Sequence, residues 1–479
     1  MRADYIKVNE ISFLSISKCV IKKNVNTHGR ATIVGLISDE DEERCLSLGT
    51  SEKYIHIVAV DSEGKEECIF SGIIENILIS SGFSKVLTLE LITGTKLLDL
   101  AHRTRTFQDS GMTYKQILQS NERLNSDVKA GSIFFKNGDI LPEQLIAQFK
   151  ETDWEFAIRM ASHLNTCIIP AFTNDGAKYF FGIREGASEK NVTDLLTFSM
   201  CKNLKLYEKL KQRVEKKALK VALSEKDAYG ACFESRELYE VGQHVKLPNG
   251  KSFYVYAVKS FFNGQELVYT YTLRTANGFA YPRNNNELII GASLEGNILD
   301  VKRDKVKVDL KVDKQYKDTS ARWFSYSTVY SSPDGTGWYC MPEIGDEVRL
   351  YFPTANEGKA YVISAVHLEV VEGGERTNPD IKKFKNKVGK SITFTPSSLT
   401  INNPALGFIE LDDEKGITIS SEKDIRFCAS SGIEIHALDG DVNITASDTT
   451  VLRQGNASLI LKNDIIETKG AKVYIQEKE

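Results

Sequence analysis

Four places in this 479-residue chain carry residue types that could do chemistry. Asp412-Asp413-Glu414 groups three carboxylates. Glycoside hydrolysis needs two positioned carboxyls, one with a raised pKa, inside a domain that holds them. Here Lys415-Gly416 follows at once, which marks a solvated turn, and only a linker and short strands lie after His367. Gly389-Lys390-Ser391 imitates the end of a phosphate-binding loop. The glycine required five residues earlier is Phe384, and a strand pattern follows where the loop needs a helix N-terminus. His436 and Cys428 could hold a metal if copies of the chain met on an axis, but His436 follows the apolar pair Ile433/Ile435 in alternation and faces outward. The other histidines are scattered. Finally, Trp323, Phe324, Tyr326, Tyr330, Trp338 and Tyr339 could stack bases on a small barrel. Asp334, Glu343, Asp346 and Glu347 sit among them without a matching Lys/Arg groove. The expectation is a protein that is not an enzyme, with no catalytic, cofactor-binding or metal-ligating residues, no cofactor, and no nucleic-acid partner.

Composition bounds the same reading. The chain is 41% hydrophobic with a formal charge of −4, ordinary for folded domains and unlike a basic nucleic-acid binder. One stretch departs from that balance. Lys202 to Lys220 is rich in Lys and Arg with Leu204, Tyr207 and Leu210 interleaved, which reads as an exposed helix with a solvated basic face, or as a docking helix. Eight cysteines without a C-x-x-C pair fit reduced, buried thiols. The start, Met1-Arg2-Ala3-Asp4-Tyr5, leads into alternating residues and no apolar run is long enough to span a bilayer. The expectation is synthesis in a bacterial cytoplasm without a signal peptide, with another device carrying the protein to any external site of action.

The elements that would position such residues are mostly strands. Ile73–Ile79, the turn Ser80-Ser81-Gly82 and Val86–Leu91 form a hairpin with period-two patterning. A similar unit joins Phe253–Val258 to Leu267–Leu273 through Asn263-Gly264, so two related barrels are expected. Between them, Thr113-Tyr114-Lys115-Gln116 and Thr152-Asp153-Trp154-Glu155 both fit the reciprocal capping box that starts a helix. Leu288–Ser293, Lys305–Leu310, Glu347–Phe352 and Ala360–Ile363 read as strands of a small Greek-key barrel such as an OB-fold. After the polar linker Glu372–Pro379, apolar pairs recur at i, i+2: Ile392/Phe394, Leu399/Ile401, Ile409/Leu411, Ile417/Ile419, Ile425/Phe427, Ile433/Ile435, Val442/Ile444, Leu459/Leu461 and Val473/Ile475. Each pair gives one apolar face to one short strand, which cannot bury that face alone. Other chains must supply the remaining sides, as in a triple-stranded β-helix, whose closure also removes exposed sheet edges.

The fold expected is therefore mainly β with minor α. It comprises a first barrel over 1–100, a helical insert over 101–240, a second barrel hairpin over 241–287 and an OB-fold barrel over 288–368, the first and second being hub barrels on the resemblance given next. A linker over 369–384 and a trimeric triple-stranded β-helix needle over 385–479 complete it.

Several of these segments resemble the VgrG family of type VI secretion and the hub–spike proteins of contractile phage tails. Arg105-Thr106-Phe107-Gln108-Asp109 with Met112-Thr113-Tyr114 is similar to that family's hub signature. So are Glu151-Thr152-Asp153-Trp154-Glu155-Phe156 and Arg159-Met160-Ala161-Ser162-His163. Trp323–Thr328, Gly335–Val348, Phe352-Pro353, Glu357 and Ala360 are similar to its OB stretch, and Gly389–Ile392 to the entry of its needle. The likeness is weakest from Ser188 to Gly242. It implies a structural homotrimer that links a sixfold tail tube and baseplate to a threefold needle piercing a target cell envelope, in a phage tail, R-type bacteriocin or type VI-like particle. Two similar barrels in each of three chains would present six near-equivalent surfaces to the tube. The apolar end left near Val473–Gln476 would need a separate small tip protein. The other reading is an OB-fold binding module, for nucleic acid or saccharide, on a β-solenoid scaffold.

Overall fold

The computed structural model describes residues 3–48, 53–186, 188–217, 219–313, 321–332, 334–365 and 378–475. It divides into two compact units, Met1–Leu368 and Glu369–Glu479.

The first unit is organised by one long twisted sheet. Along its main path the strands run Tyr5–Val8, Ile55–Val60, Glu66–Ser81, Lys85–Ile92, Arg30–Ile37, Ser15–Asn24, Ser252–Phe262, Leu267–Arg274, Tyr229–Ser235 and Thr197–Lys202. Both expected hairpins are present, in the registers Ser81↔Lys85 and Phe262↔Leu267. Both lie in one continuous sheet, because Ser15–Asn24 pairs antiparallel with Ser252–Phe262 across the junction. The half of the sheet that holds the second hairpin also begins earlier in the chain than expected. Thr197–Lys202 and Tyr229–Ser235, inside the stretch read as a helical insert, are strands of the same sheet. Ala231, Phe233 and Ser235 alternate inward on the latter, a period-two signal broken by its small and polar members. The inward faces bury a large apolar core including Ile33, Phe70, Leu89, Phe233, Val255 and Tyr271. Burial of this kind is the main favourable term in folding.

Between the barrels lies a smaller α/β layer. Tyr114–Leu124 and Asp153–His163 are α-helices, each opened by the expected capping box. They pack with a three-stranded sheet (Ile168–Pro170, Lys178–Phe181, Gly131–Phe134) around Phe107, Ile117, Trp154, Phe156, Met160 and Phe181. The basic segment forms the helix Leu204–Glu215, which buries Leu210 and leaves its charged side chains exposed.

Residues 293–363 form the small barrel. Its strands are ordered Trp323–Ser325, Lys305–Leu310, Ser293–Lys302, Glu347–Tyr351, Tyr361–Ile363. A parallel bridge between Tyr326 and Val362 closes the two ends, reinforced by the Ser327 amide donating to the Val362 carbonyl at 2.8 Å. Counted from one to five along the chain, the closed order is 1-2-3-5-4, which is OB-fold topology. The first strand starts at Ser293 and not at Leu288. Glu287–Ile289 is instead a 3-10 turn, held by the Asn286 side chain accepting from the Leu288 amide at 2.9 Å. Gly296 lets the first two strands cross closely, since a Cβ there would lie 2.5 Å from Val308 Cγ1.

The second unit is built differently. Lys382–Lys385, Ser391–Phe394, Ser398–Asn403, Gly407–Asp412 and Gly416–Ser421 form an antiparallel meander. Its first strand begins at Lys382, inside the stretch read as linker. The Asn386 side chain accepting from the Lys390 amide, with Gly389 at φ +88°, turns the chain back within five residues. Thr449–Gln454, Ala457–Lys462 and Ile465–Lys469 make a second small sheet. The pairs Ile425/Phe427, Ile433/Ile435, Val442/Ile444 and Val473/Ile475 lie outside strands. A strand exists only through a hydrogen-bonded neighbour, and one chain offers these pairs none. The linker stretch 372–377 and Gln476–Glu479 lie outside the described residues.

Candidate functional site

The hub-like motifs converge on the joint between the α/β layer and the OB barrel. Arg103–Phe107 and Ile146–Glu151 form a two-stranded ribbon. Successive residues of a strand point to opposite faces, and this ribbon uses both. Phe107 and Ile146 enter the core of the α/β layer, while Leu145 and Ala147 enter the core of the barrel. Two cores thus share one ribbon.

Charged and polar side chains complete the joint. Arg159, on the capped helix, is 2% exposed. Its guanidinium donates to both Glu151 oxygens at 2.7 and 2.8 Å, to the Ala147 carbonyl at 2.6 Å, and across to Glu357 of the barrel at 2.9 Å. Gln144 donates to the other Glu357 oxygen at 3.1 Å. Burial pushes the Glu151 carboxyl above its ordinary pKa, opposed by the hydrogen bonds and charge of Arg159. A second cluster surrounds Asp153, which accepts from Arg105, Asn125 and Gln148 and pairs with Arg103 at 3.0 Å. From the neighbouring strand, Thr106 donates through its amide (2.7 Å) and its hydroxyl to Asp313 of the barrel, and Gln108 donates to the Val308 carbonyl at 3.2 Å. Asn286 donates to the Phe149 carbonyl at 2.7 Å, and Arg322 to the Pro142 carbonyl at 2.8 Å. Nearly every polar member of the two motifs therefore spans the joint or stiffens it. Buried charges are tolerable only when paired and hydrogen-bonded in this way.

The residues weighed for chemistry are arranged otherwise. Asp412 accepts from the Glu414 and Lys415 amides at 3.1 and 2.9 Å in the turn between two strands. Those amides lower its pKa, the opposite of what a general acid requires. Lys390 and Ser391 lead directly into the strand Ser391–Phe394. His436 is exposed and 3.4 Å from Glu434, and Cys428 is exposed. Among the described residues no three His, Cys, Asp or Glu are grouped as metal ligands. On the barrel, Trp323 carries Lys307 over its ring at 5.1 Å, and Lys311 and Arg349 pair with Glu347 and Glu295. These three basic groups are engaged within the barrel, while Tyr330, Trp338 and Tyr339 stand exposed.

One cluster escaped sequence reasoning, since its members stand 15 and 104 residues apart. Ser71, His56 and Asp175 meet, but the carboxylate occupies the middle. The Ser71 hydroxyl donates to Asp175 at 2.7 Å, and His56 Nε2 bonds the same oxygen at 2.8 Å. A nucleophilic triad needs the imidazole between the other two, to take the hydroxyl proton. This arrangement ties strands together and activates nothing.

Residues 294–367 match the family described as the type VI secretion system/phage-baseplate injector OB domain. In sequence, therefore, the barrel is similar to an injector OB domain. Solved structures carry the likeness across the hub. The E. coli c3393 protein, described as a component of the type VI secretion system with structural similarity to T4 bacteriophage tail proteins gp27 and gp5, aligns at 13% identity and TM-score 0.51. That alignment covers 76% of this chain and 100% of the other. A chain of the lidless PdpA-VgrG complex aligns at 10% identity and TM-score 0.55, covering 88% and 99%. The half-lidded Francisella PdpA-VgrG complex gives 11% and 0.55, covering 88% of each. No curated protein matches in sequence. The chain thus joins a barrel similar to an injector OB domain to a fold like that of the solved VgrG chains, and residues of its two motifs form bonds across the joint.

Proposed function

We propose that this chain is the hub and spike of a contractile injection system, a structural part that is not an enzyme. The observation that carries the reading is the injector OB domain fixed by buried ion pairs to a hub of VgrG-type fold. A piercing device must pass axial force between domains without hinging, and a joint that shares a ribbon and buries Arg159 against Glu357 suits that task.

The finer features of the reading are a homotrimer, a tail tube and baseplate behind it, a target envelope ahead and a separate small tip protein on the last strands. Support for self-association comes from the second unit. The register stacks Ile392, Ile401, Ile409 and Ile419 in one column, with Phe394, Leu399, Leu411 and Ile417 in the next. Seven of these eight are at least 38% exposed in the single chain, and Ile417 reaches 71%. An apolar face of this extent calls for a partner surface. Light scattering on the purified protein tests the trimer: the expected mass is three times the 53.6 kDa chain. A monodisperse monomer at micromolar concentration would refute it. Co-purification of tube and baseplate proteins with a tagged chain tests the assembly.

A further inference from the structure

Two excursions from the main sheet of the first unit carry unbalanced charge of opposite sign. Residues 202–220 hold eight Lys or Arg against two Glu, hence 8 − 2 = +6, in a chain of net −4. The helix Leu204–Glu215 seats Leu210 on the hub, and Lys205, Lys209, Lys211 and Arg213 are exposed. Among the described residues these four make no ion pair. On the other barrel, Asp39–Glu43 is a run of five carboxylates leading the helix Asp41–Leu48. Lys85 meets Asp39 and Glu42, and Arg44 lies 3.8 Å from Asp41, so five negative charges face two positive ones and −3 remains. Asp39, Glu40 and Glu43 are exposed.

The basic helix follows the strand Thr197–Lys202 and the acidic one follows Arg30–Ile37, so each barrel contributes one sign. A closed ring of three or more identical chains is built from heterologous contacts, in which two different patches of the chain meet at every interface. Single exposed ion pairs contribute little. Opposed clusters of several charges, by contrast, steer encounter and decide which surfaces meet.

We propose that the basic helix Leu204–Glu215 of one copy docks on the acidic segment Asp39–Glu43 of the next copy, head to tail around the hub. The inference rests on the self-association reading above and names a contact that reading does not contain. A second copy is favoured over a nucleic acid because the chain itself supplies the complementary patch, and because that acidic patch would repel a phosphate backbone.

The test uses the full-length chain, mixed from unlabelled and 15N-labelled preparations that assemble together, and treated with a carbodiimide that joins carboxylates to amines in contact. Cross-linked peptides pairing residues 39–43 with Lys205, Lys209 or Lys211, in mixed isotope composition, are expected. Lys205→Glu, Lys209→Glu and Arg213→Glu together slow assembly from separated chains about tenfold at low salt. Adding Asp39→Lys, Glu40→Lys and Glu43→Lys restores the rate to within about threefold, because opposed charges again meet. At about 1 M salt, where screening acts within a few ångströms, the difference between variants shrinks. An oligomer that forms without these cross-links and without rescue overturns the contact and leaves an acidic partner of another sequence for the helix. A chain that stays monomeric at high concentration refutes the self-association reading itself, and with it this contact.

Discussion

The two units of this chain treat apolar side chains in opposite ways. In the first, Ile33, Phe70, Phe156, Tyr271 and Val308 are fully enclosed, and its buried charges have partners within the chain. In the second, Ile433, Ile435, Val442 and Ile444 are each at least half exposed, and several of their segments pair with nothing. Both units have period-two sequences. The difference lies in reach: strands of eight to sixteen residues run through the large sheet of the first unit, whereas the six-residue strands of the second unit form only narrow meanders. On the proposed self-association, short rungs with an apolar face would leave the folding of that unit to other copies of the chain. Stability of the first unit should accordingly be a property of one chain, and that of the second a property of concentration.

The sharpest way to break this contrast is to attack the second unit alone. Ile433→Asp is expected to abolish assembly, because each copy would carry a carboxylate into the shared apolar interior, where an unpaired charge is very costly. Glu434→Gln is expected to leave assembly unchanged. Light scattering reads both. Equal assembly of the two variants would mean that the inward and outward faces are exchanged. Ending the chain after Lys385 is expected to give a monomer whose first unit still unfolds cooperatively, since its cores contain no residue beyond that point.

Inside the first unit the largest expected effect is at the joint. Arg159→Met leaves Glu151 and Glu357 buried without their cation and should cost about 3–5 kcal/mol. Denaturant unfolding measures it, and the loss should not vary with protein concentration. Glu357→Gln keeps a hydrogen-bonding group beside Arg159 and should cost less. A concentration-dependent loss in Arg159→Met would show that the first unit also relies on its neighbours.

Much of this architecture was legible in the residues, and the rest fails for a physical reason. Both capping boxes were readable because their four residues are contiguous and their bonds local. The two hairpins were readable for the same cause, although the first turn falls at Gly82–Ser84, two residues later than expected, since Ser80 and Ser81 still pair with Val86 and Lys85. The OB domain could be recognised from Trp338–Val348 and its neighbours. The joint could not be read. Arg159 and Glu357 were both noticed, yet their pairing spans 198 residues, and no single sequence encodes which distant charge meets which. The continuity of the two barrels depends likewise on a nonlocal edge pairing, Ser15–Asn24 with Ser252–Phe262. The inward row Ala231, Phe233 and Ser235 holds only one large apolar side chain, so this strand passed for insert.

Acid provides a milder probe. His163 accepts from or donates to Tyr114 at 3.3 Å through Nδ1 and bonds the Asn284 carbonyl at 3.1 Å through Nε2. Burial, with Arg283 and Arg159 nearby, holds its pKa well below the usual histidine value. His28, enclosed against Trp154, is lowered by burial despite Asp99. The neutral forms therefore stabilise the fold. That contribution is complete above about pH 6.5, the unfolded value, and is lost as pH falls toward the depressed folded values. Thermal unfolding of the first unit should shift downward below that pH, and His163→Gln should flatten the slope. An unchanged slope would place the acid sensitivity elsewhere.

The smallest effect comes from comparing one motif in two settings. Thr113 and Thr152 open their helices with the same reciprocal bonds: Thr113 accepts from Gln116 at 3.2 Å and Thr152 from Glu155 at 3.1 Å. Their surroundings differ. Thr152 is 3% exposed and also donates to Asp99 at 2.8 Å, while Thr113 is partly open to water. Water can replace the lost acceptor at Thr113, so Thr113→Ala should cost about 0.5–1 kcal/mol. At Thr152 the same change leaves a helix amide and a carboxylate short of a partner where little water reaches, and the cost should approach about 2 kcal/mol. Asp99→Asn separates the terms, because it removes the charged acceptor and keeps the cap. If Thr152→Ala remains the costlier change in that background by the same margin, burial of the helix start sets the difference. If the margin closes, the bond to Asp99 does. Either way the loss should be the same in dilute and concentrated protein, as a term belonging to one chain must be.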